Sequence, residues 1–129
     1  LCGEVSYSFN ESSVISAHHC HCKDCQKSTG SGKATIIMIP ENALQMNGEI
    51  KIYTVTGTDG SHVSRGFCES CGSPLISYIE EMEGIRLIKA GSLDDSSWLK
   101  IDSNFWSSTA RVWSPVDETL HSFNKNPQT

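Results

Sequence analysis

Cys20-His21-Cys22-Lys23-Asp24-Cys25 is the stretch on which the reading of this chain turns, and Cys68-Glu69-Ser70-Cys71 is its downstream counterpart. Cysteines so close in sequence seldom reach the geometry of a disulfide, whereas C-x-C-x-x-C and C-x-x-C are metal-chelating spacings. On an extended strand residues i and i+2 point the same way, so Cys20 and Cys22 can grip one ion from a single strand. Cys25 returns to that ion if the chain turns into a helix after Cys22. A helix start also adds backbone N–H groups and a positive dipole end, both of which favour thiolates. Zinc is the first choice for several thiolates in a tetrahedral shell. Three protein ligands leave a fourth position open, as in a catalytic ion. Cys68 and Cys71, followed by Gly72-Ser73-Pro74, have the shape of a zinc knuckle and need two more ligands, of which Cys2 is one candidate. Another arrangement also fits the spacings: Cys22, Cys25, Cys68 and Cys71 around a single structural ion, with Cys2 and Cys20 uninvolved.

Working outward, β-branched and alternating apolar runs predict strands over Glu4–Phe9, Val14–His19, Ala34–Ile39, Ile50–Val55, Val63–Cys68, Leu75–Ile79 and Ile85–Ala90. Turn residues punctuate them at Asn10-Glu11-Ser12, Asn47-Gly48, Thr58-Asp59-Gly60 and Glu83-Gly84. Strands this short and evenly spaced imply a mainly β, antiparallel fold. Helix is expected only over Lys23–Ser28 and as a turn near Asp94–Leu99, with Asp94 or Asp95 as its N-cap. With 129 residues, the chain is expected to be one domain over 1–129, with a polar tail from Asn124 to Thr129 that frays.

Composition narrows the function. The chain is 37% hydrophobic and 19% charged, as globular proteins are, and its formal charge of −5 repels phosphate backbones, so no nucleic acid partner is expected. No apolar run is long enough to cross a bilayer, and Ala34 to Pro40 is only strand-sized, so no membrane partner is expected either. Thiols set for metal rather than disulfides imply a reducing, cytoplasmic location.

Other residues carry weaker signals. His18, His19 and His21 flank the cluster, but His21 faces away from Cys20 and Cys22 on a regular strand, so surface or core histidines are expected. Gly30-Ser31-Gly32 reads as a helix stop and turn before it reads as a carboxylate cradle. Lys23, Lys27, Lys33 and Arg65 are the basic groups nearest the clusters in sequence, with solvated surface the expected fate of each. Trp98, Phe105, Trp106 and Trp113 could line a cleft, although aromatics of a small β domain are more often core. Asp94-Asp95 needs no cation if it starts a helix.

Leu1-Cys2-Gly3-Glu4-Val5-Ser6-Tyr7, the C-x-C-x-x-C with Gly30-Ser31, Phe67-Cys68-Glu69-Ser70-Cys71-Gly72-Ser73-Pro74-Leu75, and Ala90-Gly91-Ser92-Leu93-Asp94-Asp95 occur in that order. This combination resembles the glutathione-dependent formaldehyde-activating enzyme family, to which centromere protein V is related, over Leu1 to about Phe123. The resemblance implies a β-tent pinned by two zinc ions. One would be structural, with Cys2, Cys68 and Cys71 matching three of its four cysteines. The fourth would precede Leu1, which implies a trimmed N-terminus. The other would be catalytic, held by Cys20, Cys22 and Cys25. The implied activity is that of a carbon–sulfur lyase or synthase acting on a thiol–aldehyde adduct such as S-hydroxymethylglutathione. One departure stands out: Gln26 and Lys27 follow the third cysteine where family members commonly carry Arg, and a bidentate Arg is a natural carboxylate ligand. The alternative reading is a non-enzymatic zinc-stabilised scaffold that binds proteins.

Overall fold

Ala34–Pro40 (Ala-Thr-Ile-Ile-Met-Ile-Pro) is apolar at nearly every position because it is a central strand covered on both faces. The structure, a computed structural model, describes residues 1–127. Among these, ten strands, one α-helix and four short 3-10 turns are formed. The strands are β1 (Ser6–Ser8), β2 (Ser16–Cys20), β3 (Ala34–Pro40), β4 (Gln45–Asn47), β5 (Lys51–Thr56), β6 (His62–Phe67), β7 (Pro74–Ile79), β8 (Ile85–Lys89), β9 (Ser103–Phe105) and β10 (His121–Ser122). The helix, α1, spans Lys23–Thr29. Eight strands form one sheet in the order β10-β9-β2-β3-β8-β7-β6-β5, and β1 pairs with β4 in a small second sheet.

The fold is mainly β, and all seven expected strands exist, with bounds shifted by a few residues. Two features differ from expectation. Strand β9 runs parallel to both β2 and β10 rather than antiparallel. Parallel neighbours need a long crossover, and β9 reaches β2 only after β3 and β5 to β8 have been laid down. The segment Asp94–Leu99 forms no helix: Asp95 instead accepts the Ser97 N–H at 2.9 Å, and Leu99 closes a turn on the Ser96 carbonyl. An Asx side chain that can satisfy a backbone N–H locally competes with helix in this way. Of the tail expected to fray, Asn124 to Asn126 are held by backbone and side-chain bonds to Trp106 and Ser108, and 128–129 lie outside the described residues.

Register divides the sheet into two different faces. Met38 pairs with Leu87, Leu87 with Ser77, and Ser77 with Arg65, while Ile36 pairs with Lys89 and Val63 with Ile79. Side chains paired in register share a face, and the period of two carries that face on to Ala34 and to Cys20. The intervening residues Ala17, Ile37, Ile39, Ile76 and Ile88 point the other way into the main core, which the β1–β4 sheet covers with Tyr7 and Met46, joined by the preceding Val5. Cys68 belongs to that core.

At the open end of the β6–β7 pair, opposite the turn that joins them, the exposed Glu81 carboxylate accepts from the His62 N–H at 2.6 Å and lies 2.7 Å from His62 Nδ1. Hydrogen bonding to Glu81 and its charge raise the His62 pKa above 6.5. A raised folded-state pKa gives a contribution that is fully present below the unfolded value and is lost as pH rises through the folded one. NMR titration is expected to place the His62 midpoint above 6.5, and Glu81→Gln should return it to the ordinary range.

Candidate metal centre

Cys20 ends β2, its Cα registered against Ala34 on one side and Phe105 on the other. Cys22 is then the N-cap of α1, and its Sγ accepts the Cys25 N–H at 3.2 Å. The helix stops at Gly30, whose φ of 70° is left-handed, with its N–H on the Gln26 carbonyl. Strand, cap and first helical turn thus deliver three sulfurs to one place. The ligand atoms of Cys20, Cys22 and Cys25 lie within 4.8 Å of one another, and so do those of Cys2, Cys68 and Cys71. In a tetrahedral zinc–thiolate site, bonds of 2.3 Å put sulfurs about 3.8 Å apart, and Cys2 Sγ and Cys68 Sγ are 3.7 Å apart. Both clusters could hold a metal ion. None of the six cysteines is in a disulfide. The single-ion arrangement of Cys22, Cys25, Cys68 and Cys71 does not form, because the first pair sits on the cleft face and Cys68 lies in the core behind the sheet.

The two clusters differ in their surroundings. Cys20 and Cys25 are buried among Ala34, Ile36, Leu87 and Phe105 at the floor of a cleft of about 310 Å³. Two cations share that floor. Lys89 is 9% exposed, and Arg65 Nη2 is 4.0 Å from Cys25 Sγ; both line the cleft. Hydrogen bonds from the Cys20 and Cys22 thiols, with Lys89 and Arg65 adding to them, hold Cys25 as thiolate far below the usual thiol range. The Cys20 thiol is pushed far up by hydrogen bonding to Cys22 and Cys25 and by burial. The sulfurs therefore share protons as one cluster. Cys2 is exposed and Cys71 half-exposed, and the Ser73 hydroxyl, 3.2 Å from Cys71 Sγ, lowers the Cys71 pKa.

The neighbouring histidines are interior. His21 is fully buried away from the cleft, and burial lowers its pKa. His18 stacks on Phe105 with ring centroids 4.2 Å apart and touches Ser103 and Ser16 through its two nitrogens. His19 meets Thr35, and burial brings its pKa down to about 4. Gln26, at the position of the family's Arg, does not face the cleft. Its amide donates to the His21 and Thr109 carbonyls at 2.8 and 3.0 Å, while its oxygen accepts from Arg111 Nε at 2.9 Å. The side chain fastens α1 to the C-terminal segment.

The pattern that defines the family described as "Glutathione-dependent formaldehyde-activating enzyme" matches residues 1–109. The chain belongs to that family. The match covers Phe105 and Trp106 but stops short of Trp113, so the resemblance drawn out to Phe123 reaches further than the family pattern does. No curated protein matches the chain. A crystal structure of a Rhodobacter sphaeroides protein, determined as a structural-genomics target, has a similar fold with TM-score 0.58 and 17% identity, covering 78% of this chain and 92% of that one.

Sequence reasoning missed Lys89. Alternation from Leu87 puts Lys89 on the Leu87 face of β8, but nothing in the sequence says that this face is the cleft. Of the basic residues singled out, Lys23 and Arg65 line the cleft and Lys27 and Lys33 do not. The aromatics divide. Phe105 and Trp106 line the cleft, Trp98 packs edge-on against Phe9, and Trp113 is 68% exposed. Trp106 is also the one non-glycine residue in the left-handed region (φ 57°) among those described. That unfavourable backbone is held by its N–H on Lys125 and its indole N–H on Asn126.

Gly30-Ser31-Gly32 is a helix stop and turn: Gly30 caps α1, and Gly32 packs against the 111–114 segment. A Cβ at Gly32 would lie 2.2 Å from Ser114 Cβ. Gly32→Ala is expected to push the 111–114 segment off the helix-end turn and lower stability by about 1–3 kcal/mol, read by thermal unfolding.

Proposed function

We propose that the protein is a zinc-dependent carbon–sulfur lyase or synthase that makes and breaks thiol–aldehyde adducts at Cys20, Cys22 and Cys25. Cys2, Cys68 and Cys71 serve a second, structural zinc. The observation that carries this reading is the unequal setting of the two clusters. Three sulfurs and two cations share the floor of an open cleft, while the other three sulfurs tie the N-terminus to the β6–β7 turn.

In the forward direction a thiol sulfur bonds to the aldehyde carbon, the C=O π pair moves to oxygen, and that oxygen takes up the proton the thiol gave up. The reverse breaks the C–S bond and returns the proton. A zinc ion in the cleft supplies a lowered pKa for a visiting thiol, presenting it as thiolate near neutral pH. The protein does the rest. Lys89, which lines the cleft, stabilises negative charge developing on the aldehyde oxygen. Arg65 balances the Cys25 sulfur. Ile36, Leu87 and Phe105 exclude water, which strengthens both effects. Thiol-based metal ligation is consistent with a reducing compartment such as the cytoplasm.

The test is metal content together with exchange of labelled formaldehyde with thiol, followed by NMR. Two zinc ions per chain are expected. Mild chelation should remove one of them and slow the exchange about a hundredfold, and zinc should restore it. A single tightly held ion and no acceleration would instead support the protein-binding scaffold.

A further inference from the structure

We propose that the cleft selects a thiol with an apolar body and no charge beyond its sulfur, and that glutathione is a poor ligand. The inference rests on the reading of Cys20, Cys22 and Cys25 as ligands of an ion with an open position. It deepens that reading through two features of the walls.

The first is charge balance at the floor. Three thiolates around a divalent ion carry one net negative charge. Lys89 and Arg65 carry two positive charges, and both are partly or fully withdrawn from water. Among the described residues Lys89 makes no salt bridge and Arg65 Nε has no hydrogen-bond partner. The floor is thus left one positive charge in excess, which a visiting thiolate cancels. No positive charge remains at the floor for a carboxylate.

The second is the polarity of the walls. Above the sulfurs the cleft is lined by Met38, Val63, Ile79, Leu87, Phe105 and Trp106. The further charged groups on its lining are Lys23, Asp24 and Asp59, all three exposed. Two carboxylates against one ammonium make the rim acidic. Glutathione brings two carboxylates and an ammonium; Thr58, Ser61, Ser77, Thr109 and Asn126 on the lining offer neutral polar contacts, but beyond the exposed Lys23 they leave its carboxylates no cation to pair with, and burying unpaired charge is costly. The position where the family commonly has Arg offers no relief, because Gln26 is engaged elsewhere. A phenyl or alkyl thiol meets none of these obstacles.

The experiment uses the full chain loaded with cobalt(II), whose absorption reports thiolate ligation, titrated with benzenethiol and with glutathione. Benzenethiol is expected to bind at least about tenfold more tightly. Lys89→Met should weaken benzenethiol about tenfold without changing metal content. Val63→Arg, on the half-exposed wall, should narrow the preference by giving a glutathione carboxylate a partner. If the parent binds glutathione as tightly as benzenethiol, the inference on substrate class fails and the reading of the metal centre stands. If Lys89→Met binds benzenethiol like the parent, the charge-balance argument fails. If neither thiol alters the cobalt spectrum of fully loaded protein, the open position does not exist and both readings fall.

Discussion

Cys68→Ser should leave the chain largely unfolded at 37 °C. Cys68 is 3% exposed and belongs to the main core beside Leu75 and Ile76. Its N–H donates to the Ser73 carbonyl at 3.0 Å and its carbonyl accepts from Gly72 at 2.7 Å, so the whole Cys68–Ser73 turn is organised around it. Its sulfur is 3.7 Å from that of Cys2, which makes it the link between the N-terminal segment and the sheet. Serine there would bury a hydroxyl in an apolar core at about 1–3 kcal/mol. On the proposed reading it would also remove a ligand from a structural zinc ion, whose binding free energy is folding free energy, typically about 10 kcal/mol or more. A domain of this size has about 5–15 kcal/mol in all. Circular dichroism and thermal unfolding read the outcome, and a strong chelator should reproduce it in the parent. A variant that melts within about 3 °C of the parent would show that this cluster does not hold the fold together.

The sequence disclosed the parts governed by local chemistry. Ala34–Pro40 and Ile85–Lys89 announce buried strands by composition, and the C-x-C-x-x-C fixes a strand end, a cap and a first helical turn within six residues. What stayed hidden depends on partners distant in sequence. Ser103–Phe105 is three residues long and largely polar, and becomes a strand only because β2 is there to pair with it. Gln45–Asn47 is ordered in the same way by β1. Lys89 and Arg65 are separated by 24 positions and meet through the registers of β6, β7 and β8. Spacing alone also allowed Cys22 and Cys25 to join Cys68 and Cys71, and only the sidedness of the sheet separates them.

That sidedness predicts the opposite outcome for Cys25→Ser, which should keep the fold and lose the chemistry. The Cys25 backbone has its own anchors: its N–H rests on the Cys22 sulfur, and its carbonyl accepts from the Ser28 and Thr29 hydroxyls at 3.1 and 2.8 Å. The side chain closes the cleft floor rather than the main core, so a hydroxyl in its place should cost about 1–3 kcal/mol. A serine is a poor zinc ligand, and two remaining thiolates bind weakly, so one ion per chain should be lost while the other stays. Arg65 and Lys89 would then face two sulfurs instead of three at the cleft floor, and two cations beside a divalent ion with fewer thiolates disfavour a restored site further. Loss of thiol activation removes about 3 kcal/mol of catalysis, and formaldehyde–thiol exchange should slow about a hundredfold, as on chelation. Metal content, unfolding temperature and exchange rate must move together in this pattern. Retention of both ions would remove Cys25 from the ligand set, and unfolding as complete as that of Cys68→Ser would make this cluster structural too.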